Sequence, residues 1–342
     1  MSAEPHHPLL STVRALHRTI RAGVLAACRE QAVEALSAVA DDADGDTIYA
    51  VDKVSEALLV RELSRCAAEF GGIVLVAEGL VGGELVLPEG MNEDDCRYRM
   101  IVDPIDGTRG LMYQKRPGWV LTGVAPNRGK ATRLSDIELG VQTEIPLVKQ
   151  YLSDELWAVR GQGVRAERVN VLSGESSPIS LQPSRSPSIA HGYAMICRFF
   201  PGARDELAAI DEEIVGALLG PPPAGKALCF EEQYASSGGQ LYELMVGHDR
   251  FICDLRPVLA PILSARGLPR PLCCHPYDLC TSVIAEELGV RLRSPEGHSF
   301  DAPLDVESDV AWAGYANAEL QRQIEPLLVR ALSRRGLLRS EA

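Results

Sequence analysis

The chain has 342 residues, 46% of them hydrophobic and 24% charged. That is enough apolar material for a sizeable core and excludes wholesale disorder. Its 34 basic and 47 acidic side chains give a net charge of −13, which argues against a nucleic-acid backbone or an anionic membrane surface as the main partner. A small anionic substrate stays open, because a bound divalent cation reverses the sign of a site locally.

At roughly 100–200 residues per domain, the length suggests two domains or one large layered unit. Nine cysteines, odd in number and without a C-x-x-C pair, are too sparse for a disulfide scaffold and read as a reducing, intracellular setting. Cys273, Cys274, His275 and Cys280 lie close in sequence, but adjacent cysteines lack the usual zinc-ligand spacing. There is no apolar run of about 18 residues. The first residues lack the basic-then-apolar pattern of a signal peptide. The expectation is a soluble, cytoplasmic protein.

In chain order, Val13, Leu16, Ile20, Val24 and Ala27 recur at helical spacing and predict a helix over 12–40. Asp41, Asp42, Asp44, Gly45 and Asp46 read as a solvated, turn-rich break. A second helix follows Asp52. The apolar run 73–77 predicts a buried strand that ends at Glu78, and 98–102 a second strand ending at Asp103. A Gly- and acid-rich stretch over 82–95 separates the two. Strands are expected at 119–125, 137–148, 155–160 and 164–171. The Ser- and Pro-rich residues 173–188 mark a linker, with domains at 1–175 and 190–342 around 176–189. Beyond it, strands at 191–197, 250–254 and 310–314 alternate with helices at 204–219, 237–247, 278–287 and 317–335. This indicates an α/β second half. Trp119, Trp157 and Trp312 read as core.

The segment Ile101-Val102-Asp103-Pro104-Ile105-Asp106-Gly107-Thr108 carries the strongest chemical signal. An apolar strand runs into two carboxylates three residues apart. Pro104 stiffens the turn, and Gly107 lets the backbone approach a ligand. Paired carboxylates on one turn suit hard divalent cations. The amides of Gly107 and Thr108 could meet a phosphate, especially at a helix start. The Asp-x-Asp-Gly-Thr of haloacid-dehalogenase-type phosphatases places its carboxylates two apart and near the N-terminus, so an aspartyl-phosphate mechanism is not expected.

This segment resembles the signature of the inositol monophosphatase family, the lithium-sensitive, magnesium-dependent phosphatases. That family has a Glu at a strand end, then Asp-Pro-x-Asp-Gly-Thr, then a distant aromatic-Asp that opens a helix. Here Glu78 stands 25 residues before Asp103, and Tyr277-Asp278 precedes Cys280–Gly289. Tyr49–Lys53 resembles the family's Thr-x-x-Asp segment, and Ser236-Ser237-Gly238-Gly239 its Gly-Ser-Ala-Ala turn. The resemblance spans about residues 12–335. It implies a layered α-β-α-β-α sandwich, two or three Mg²⁺ ions, a small-molecule phosphate ester as substrate, and a homodimer.

By position, the resemblance implies that Glu78, Asp103 and the Ile105 carbonyl bind one ion, and Asp103, Asp106 and Asp278 a second. Asp52 would stand by a third ion and pair with Thr108. The Gly107 and Thr108 amides would hold the phosphate. The expected activity is hydrolysis of an inositol or sugar monophosphate. The ions would activate water and offset charge on the leaving oxygen, with Glu78, Asp52 and Thr108 positioning that water. The alternatives are a 3′-phosphonucleotide or fructose-type bisphosphate substrate and, from another class, a non-catalytic metabolite-binding relative. Three departures bear on the substrate. Gly79 stands where relatives often carry a second Glu. Asp254, offered with Ser237 as a contact to substrate hydroxyls, lies 24 residues before Asp278. Arg109, Lys115 and Arg116 follow the signature, either as contacts to a second anionic group or as solvated loop charges. His275 reads as a structural imidazole.

Overall fold

The structure is a computed structural model that describes residues 5–30, 39–43 and 46–338, with side chains for 5–30 and 55–338. The chain begins with α1 (Leu10–Glu30), β1 (Val39–Ala43), β2 (Asp46–Tyr49) and α2 (Ala50–Cys66). It continues through β3 (Ile73–Ala77), β4 (Glu84–Leu87), β5 (Tyr98–Asp106), α3 (Thr108–Met112), β6 (Gly118–Pro126) and β7 (Leu139–Ile145). Then follow β8 (Leu152–Val159), β9 (Val164–Asn170), β10 (Ser176–Pro178), β11 (Tyr193–Ile196) and α4 (Arg204–Leu219). The last elements are α5 (Ser237–Met245), β12 (Asp249–Asp254), α6 (Ala260–Ala265), α7 (Ser282–Glu287), β13 (Arg291–Arg293), β14 (Trp312–Tyr315) and α8 (Ala318–Arg334).

These elements stack in five layers. Helices α1 and α2 cover one face of an eight-stranded sheet of order β10-β9-β8-β7-β6-β5-β3-β4. Helices α5 and α7 cover its other face. Those two helices also meet a four-stranded sheet of order β11-β12-β14-β13, backed in turn by α4 and α8. The expected α-β-α-β-α sandwich is the architecture of this chain. Among the described strands, β3–β5 and β11–β12 pair in parallel and the other neighbours are antiparallel.

The period-two geometry of strands explains two separate cores. Ile73, Leu75, Met100, Val102, Val120 and Val124 point toward α1 and α2. Their sequence neighbours Val76, Ile101, Trp119 and Leu121 point the other way, toward α5, α7 and the smaller sheet. Because both faces are covered, β3 and β5 are buried along their whole length, which is why they read as unbroken apolar runs. The three tryptophans are core residues, each at most 2% exposed.

The described part of helix α1 runs Leu10–Glu30; the expected span 12–40 crosses residues 31–38, which lie outside those described, and its last two residues belong to β1. The acidic stretch expected as a loop instead contributes to the β1–β2 hairpin, in which Ala43 pairs with Asp46. Asp44 and Gly45 between them lie outside the described residues. Strand β4, inside the Gly- and acid-rich stretch, was masked by composition. Residues Ser176–Pro178, placed in the linker, add an edge strand to the large sheet.

Two features hold the third layer against the sheet where the site forms. Gly123 of β6 lets the turn after Asp278 pack on the strand: a Cβ there would stand 2.7 Å from the Cys280 carbonyl oxygen. Gln142 of β7 is fully buried. Its Nε2 donates to the Gly238 carbonyl at 2.8 Å, and its Oε1 accepts from Thr281 Oγ1 at 3.0 Å. One amide thus ties both helix starts to the sheet and satisfies itself in doing so.

Candidate active site

Strand β5 ends in Asp103 and Asp106, which become ligand-competent through an irregularity in its pairing with β6 between those residues. The turn is self-supported: the Ile105 amide donates to Asp103 Oδ1 at 3.0 Å, and Thr108 Oγ1 donates to the Ile105 carbonyl at 2.7 Å. Gly107 adopts φ 82°, and a Cβ there would lie 2.9 Å from Ser236 Cβ. Conformation and close approach both require glycine. Thr108 opens the short helix α3.

Three carboxylates from two distant parts of the chain converge here. Asp103, Asp106 and Asp278 each offer an oxygen, and these oxygens all lie within 4.8 Å of one another. Asp278 sits in the 3₁₀ turn Pro276–Leu279, where its Oδ2 accepts the His275 amide at 2.6 Å. It therefore stabilises its turn and joins the cluster. Asp106 Oδ2 accepts from Ser236 Oγ at 2.8 Å and from the Gly238 amide at 2.6 Å. Among the described residues, no basic side chain bonds to Asp103 or Asp106. Burial, then the charges of Asp106, Asp278 and Glu78, holds the Asp103 carboxyl well above the usual carboxylate range. Burial likewise raises Asp106 to about 6, against its hydrogen bonds, and pushes Asp278 up, helped by Asp106 and Glu78. Acids this close cannot all ionise without a cation.

The cluster floors a cleft also lined by Glu78, Gly107, Thr108, Arg109 and Ser237. Asp52 lies in the first turn of α2, but its side chain is outside those described. Glu56, one turn further on, reaches the cleft and packs over Gly79, where a Cβ would meet its Oε1 at 2.1 Å. Ser237 lines the cleft, but its Oγ is turned to Cys274 Sγ at 3.4 Å; its neighbour Ser236 is the one bonded to Asp106. Ser236 also caps α5, accepting the Gly239 amide. His275 stacks on Tyr277 and meets its hydroxyl at 3.1 Å.

Asp254 does not line the cleft. It is fully buried, and its oxygens accept from the Arg256 amide at 3.0 Å and from Arg256 Nε at 2.9 and 3.0 Å. The strand end that was expected to present an acid turns it inward, and Arg256 takes the place in the cleft wall. Lys115 is exposed. Arg116 pairs with Glu232 and lies over the Tyr234 ring, so of the three basic residues after the signature Arg109 alone lines the cleft. Sequence reasoning missed Gln142, Ser236 as Asp106's partner, and Arg256. Gln142 had a weak signal: an amide directly after the apolar Leu139-Gly140-Val141 of its strand.

The five layers, with paired acids at the end of a central strand, define the layered fold of the sugar phosphatases. No protein-family model matches the chain, and no curated protein matches it significantly. Solved structures do match. The extragenic suppressor protein SuhB of Bartonella henselae has a TM-score of 0.64 at 15% identity, covering 94% of this chain and 98% of that one. Fructose-1,6-bisphosphatase of Leishmania major has 0.63 at 12% identity, covering 95% and 94%. A Pyrococcus horikoshii protein with similarities to inositol-1 monophosphatase has 0.61 at 14% identity, covering 94% and 96%. Within the class, the chain has the inositol monophosphatase fold. No helix among the described residues is long and apolar enough to cross a membrane.

Proposed function

We propose that the protein is a Mg²⁺-dependent phosphomonoesterase that hydrolyses a small polyol or sugar phosphate. One observation carries this reading: buried Asp103, Asp106 and Asp278 converge within 4.8 Å with no described cation bonded to the first two. An all-oxygen donor set of this charge fits a hard divalent ion. Asp103, Asp106 and Asp278, with Glu78 and the Ile105 carbonyl, would hold two or three such ions. When bound, the ions supply a nucleophile at neutral pH and charge stabilisation at the phosphoryl and leaving oxygens.

The protein's own groups do the rest. The Gly107 and Thr108 amides orient the phosphoryl oxygens. Glu78 accepts the proton of the attacking water, with Asp52 and Thr108 positioning it. Ser236 and the Gly238 amide fix one oxygen of Asp106, leaving the other for the cleft. Arg109 forms part of the wall that receives the alcohol portion. The same proposal includes a cytoplasmic homodimer.

Phosphate release from inositol, sugar, sugar-bisphosphate and 3′-phosphonucleotide esters, with and without Mg²⁺, tests the reading. Metal-dependent turnover that disappears in Asp103→Asn supports it. Ester binding without turnover would favour a non-catalytic metabolite-binding protein.

A further inference from the structure

One part of the cleft lining is built from Arg256, Phe199, Phe200 and Arg109. The Arg256 guanidinium carbon lies 4.6 Å from the Phe199 ring centre and 5.2 Å from that of Phe200. The two rings meet edge to face at 4.9 Å and 86°. Arg109 lies over Phe200 at 5.2 Å. Arg256 is only 5% exposed and is held by Asp254 on one edge and by the Leu272 carbonyl, 2.7 Å from Nη1, on another. Each terminal nitrogen carries two N–H groups. Asp254 takes one from Nη2 and Leu272 one from Nη1, so each keeps one. A buried guanidinium is thus oriented at the cleft wall with two N–H groups that make no hydrogen bond among the described residues.

An acid at this wall would accept hydrogen bonds from substrate hydroxyls. A fixed guanidinium donates instead, and matches carboxylate or phosphate oxygens. We propose that Arg256, oriented by Asp254, is a specificity-determining residue that selects phosphate esters bearing a second anionic group on the alcohol part. This rests on the phosphomonoesterase reading above. Asp254 acts through Arg256: its carboxylate locks the fork and does not touch substrate. The flanking phenyl rings exclude water from the pairing, which strengthens it.

The test uses Mg²⁺-loaded full-length protein at constant free Mg²⁺ and esters matched except for the second anion. Fructose 1-phosphate against fructose 1,6-bisphosphate tests a phosphate, and glycerol 2-phosphate against 2-phosphoglycerate a carboxylate. The anionic member of at least one pair should have a kcat/KM about 10–100-fold higher, mainly through KM. Arg256→Lys keeps a counter-charge for Asp254 but loses the fork, and should reduce that ratio severalfold. Asp254→Asn/Arg256→Met removes both charges together and should bring the ratio close to one. Thermal unfolding checks that each variant is folded, and Arg256→Lys alone decides if the double variant is not. Equal or better turnover of the members without the second anion, or a ratio that neither variant moves, overturns the proposal while leaving the phosphatase reading intact. No phosphate release from any ester overturns that reading, and this proposal with it.

Discussion

Two groups of buried acids in this protein look alike in sequence and differ in company. Glu155 of β8 is fully buried against α1, and it arrives with partners: Arg14 pairs with it, and Arg18 Nε lies 3.1 Å from its Oε2. Arg14 also bonds Glu167 at 2.9 Å and covers the Trp157 ring at 3.6 Å. Asp103 is equally sheltered, yet its charged neighbours are Asp106, Asp278 and Glu78. A buried acid that serves structure is matched by a cation from the chain, since an unmatched one is costly. A buried acid cluster left unmatched by the chain is matched by something the chain binds.

That contrast is easiest to break with the acids themselves. Asp103→Asn should lower Mg²⁺-dependent phosphate release at least about 10³-fold, the loss of several kcal/mol of charge stabilisation. The same change should raise the melting temperature in chelator, because it relieves repulsion. Glu155→Gln should do the reverse. It takes a charged acceptor from Arg14 and Arg18 and should cost about 1–3 kcal/mol in urea unfolding while leaving the midpoint of Mg²⁺ activation in place. If both substitutions destabilise the metal-free protein alike, the contrast is wrong.

The protonation of the cluster sharpens it further. Asp106 has a folded-state pKa of about 6 against an ordinary 3.8, and Asp103 and Asp278 shift the same way. In that window the metal-free native state holds more protons than the unfolded chain. These groups therefore remove stability as pH rises from about 4 through 6, and impose no penalty below it. Bound cations remove the penalty, so the Mg²⁺-induced gain in melting temperature should grow across that range. A gain independent of pH would place the ion elsewhere. The smallest effect is expected from Ser236→Ala, which removes a helix cap and a hydrogen bond to Asp106. It should lower stability by about 1–2 kcal/mol and weaken Mg²⁺ binding about tenfold.

The site was legible in the sequence where chemistry is local. Asp103, Asp106 and Gly107 share one turn, and the backbone demands of that turn are written in Pro104 and Gly107. Asp278 was legible through the aromatic-Asp pattern, though nothing local brings it within 4.8 Å of Asp103; Gly123 and Gln142 do that from the neighbouring strands. The alternation of strands and helices indicated the α/β second half, whereas the layer order was legible only through the family resemblance. Asp254 and Arg256 were not legible as a pair. Which of these two opposite charges, two residues apart, reaches the cleft depends on packing against Phe199, Phe200 and Leu272, which are distant in sequence. The β1–β2 hairpin was hidden for another reason: its acidic residues have low strand propensity, and pairing overrides that preference.

The most direct measurement is a calorimetric titration of Mg²⁺ into the chelator-stripped full-length protein at pH 6 and pH 8, alongside Asp103→Asn. Saturable binding of two or three ions, with protons released at pH 6 and fewer at pH 8, and with the binding lost in the variant, is the predicted result. No binding at millimolar Mg²⁺, or binding that Asp103→Asn leaves unchanged, would contradict the assignment of the acid cluster as the cation site.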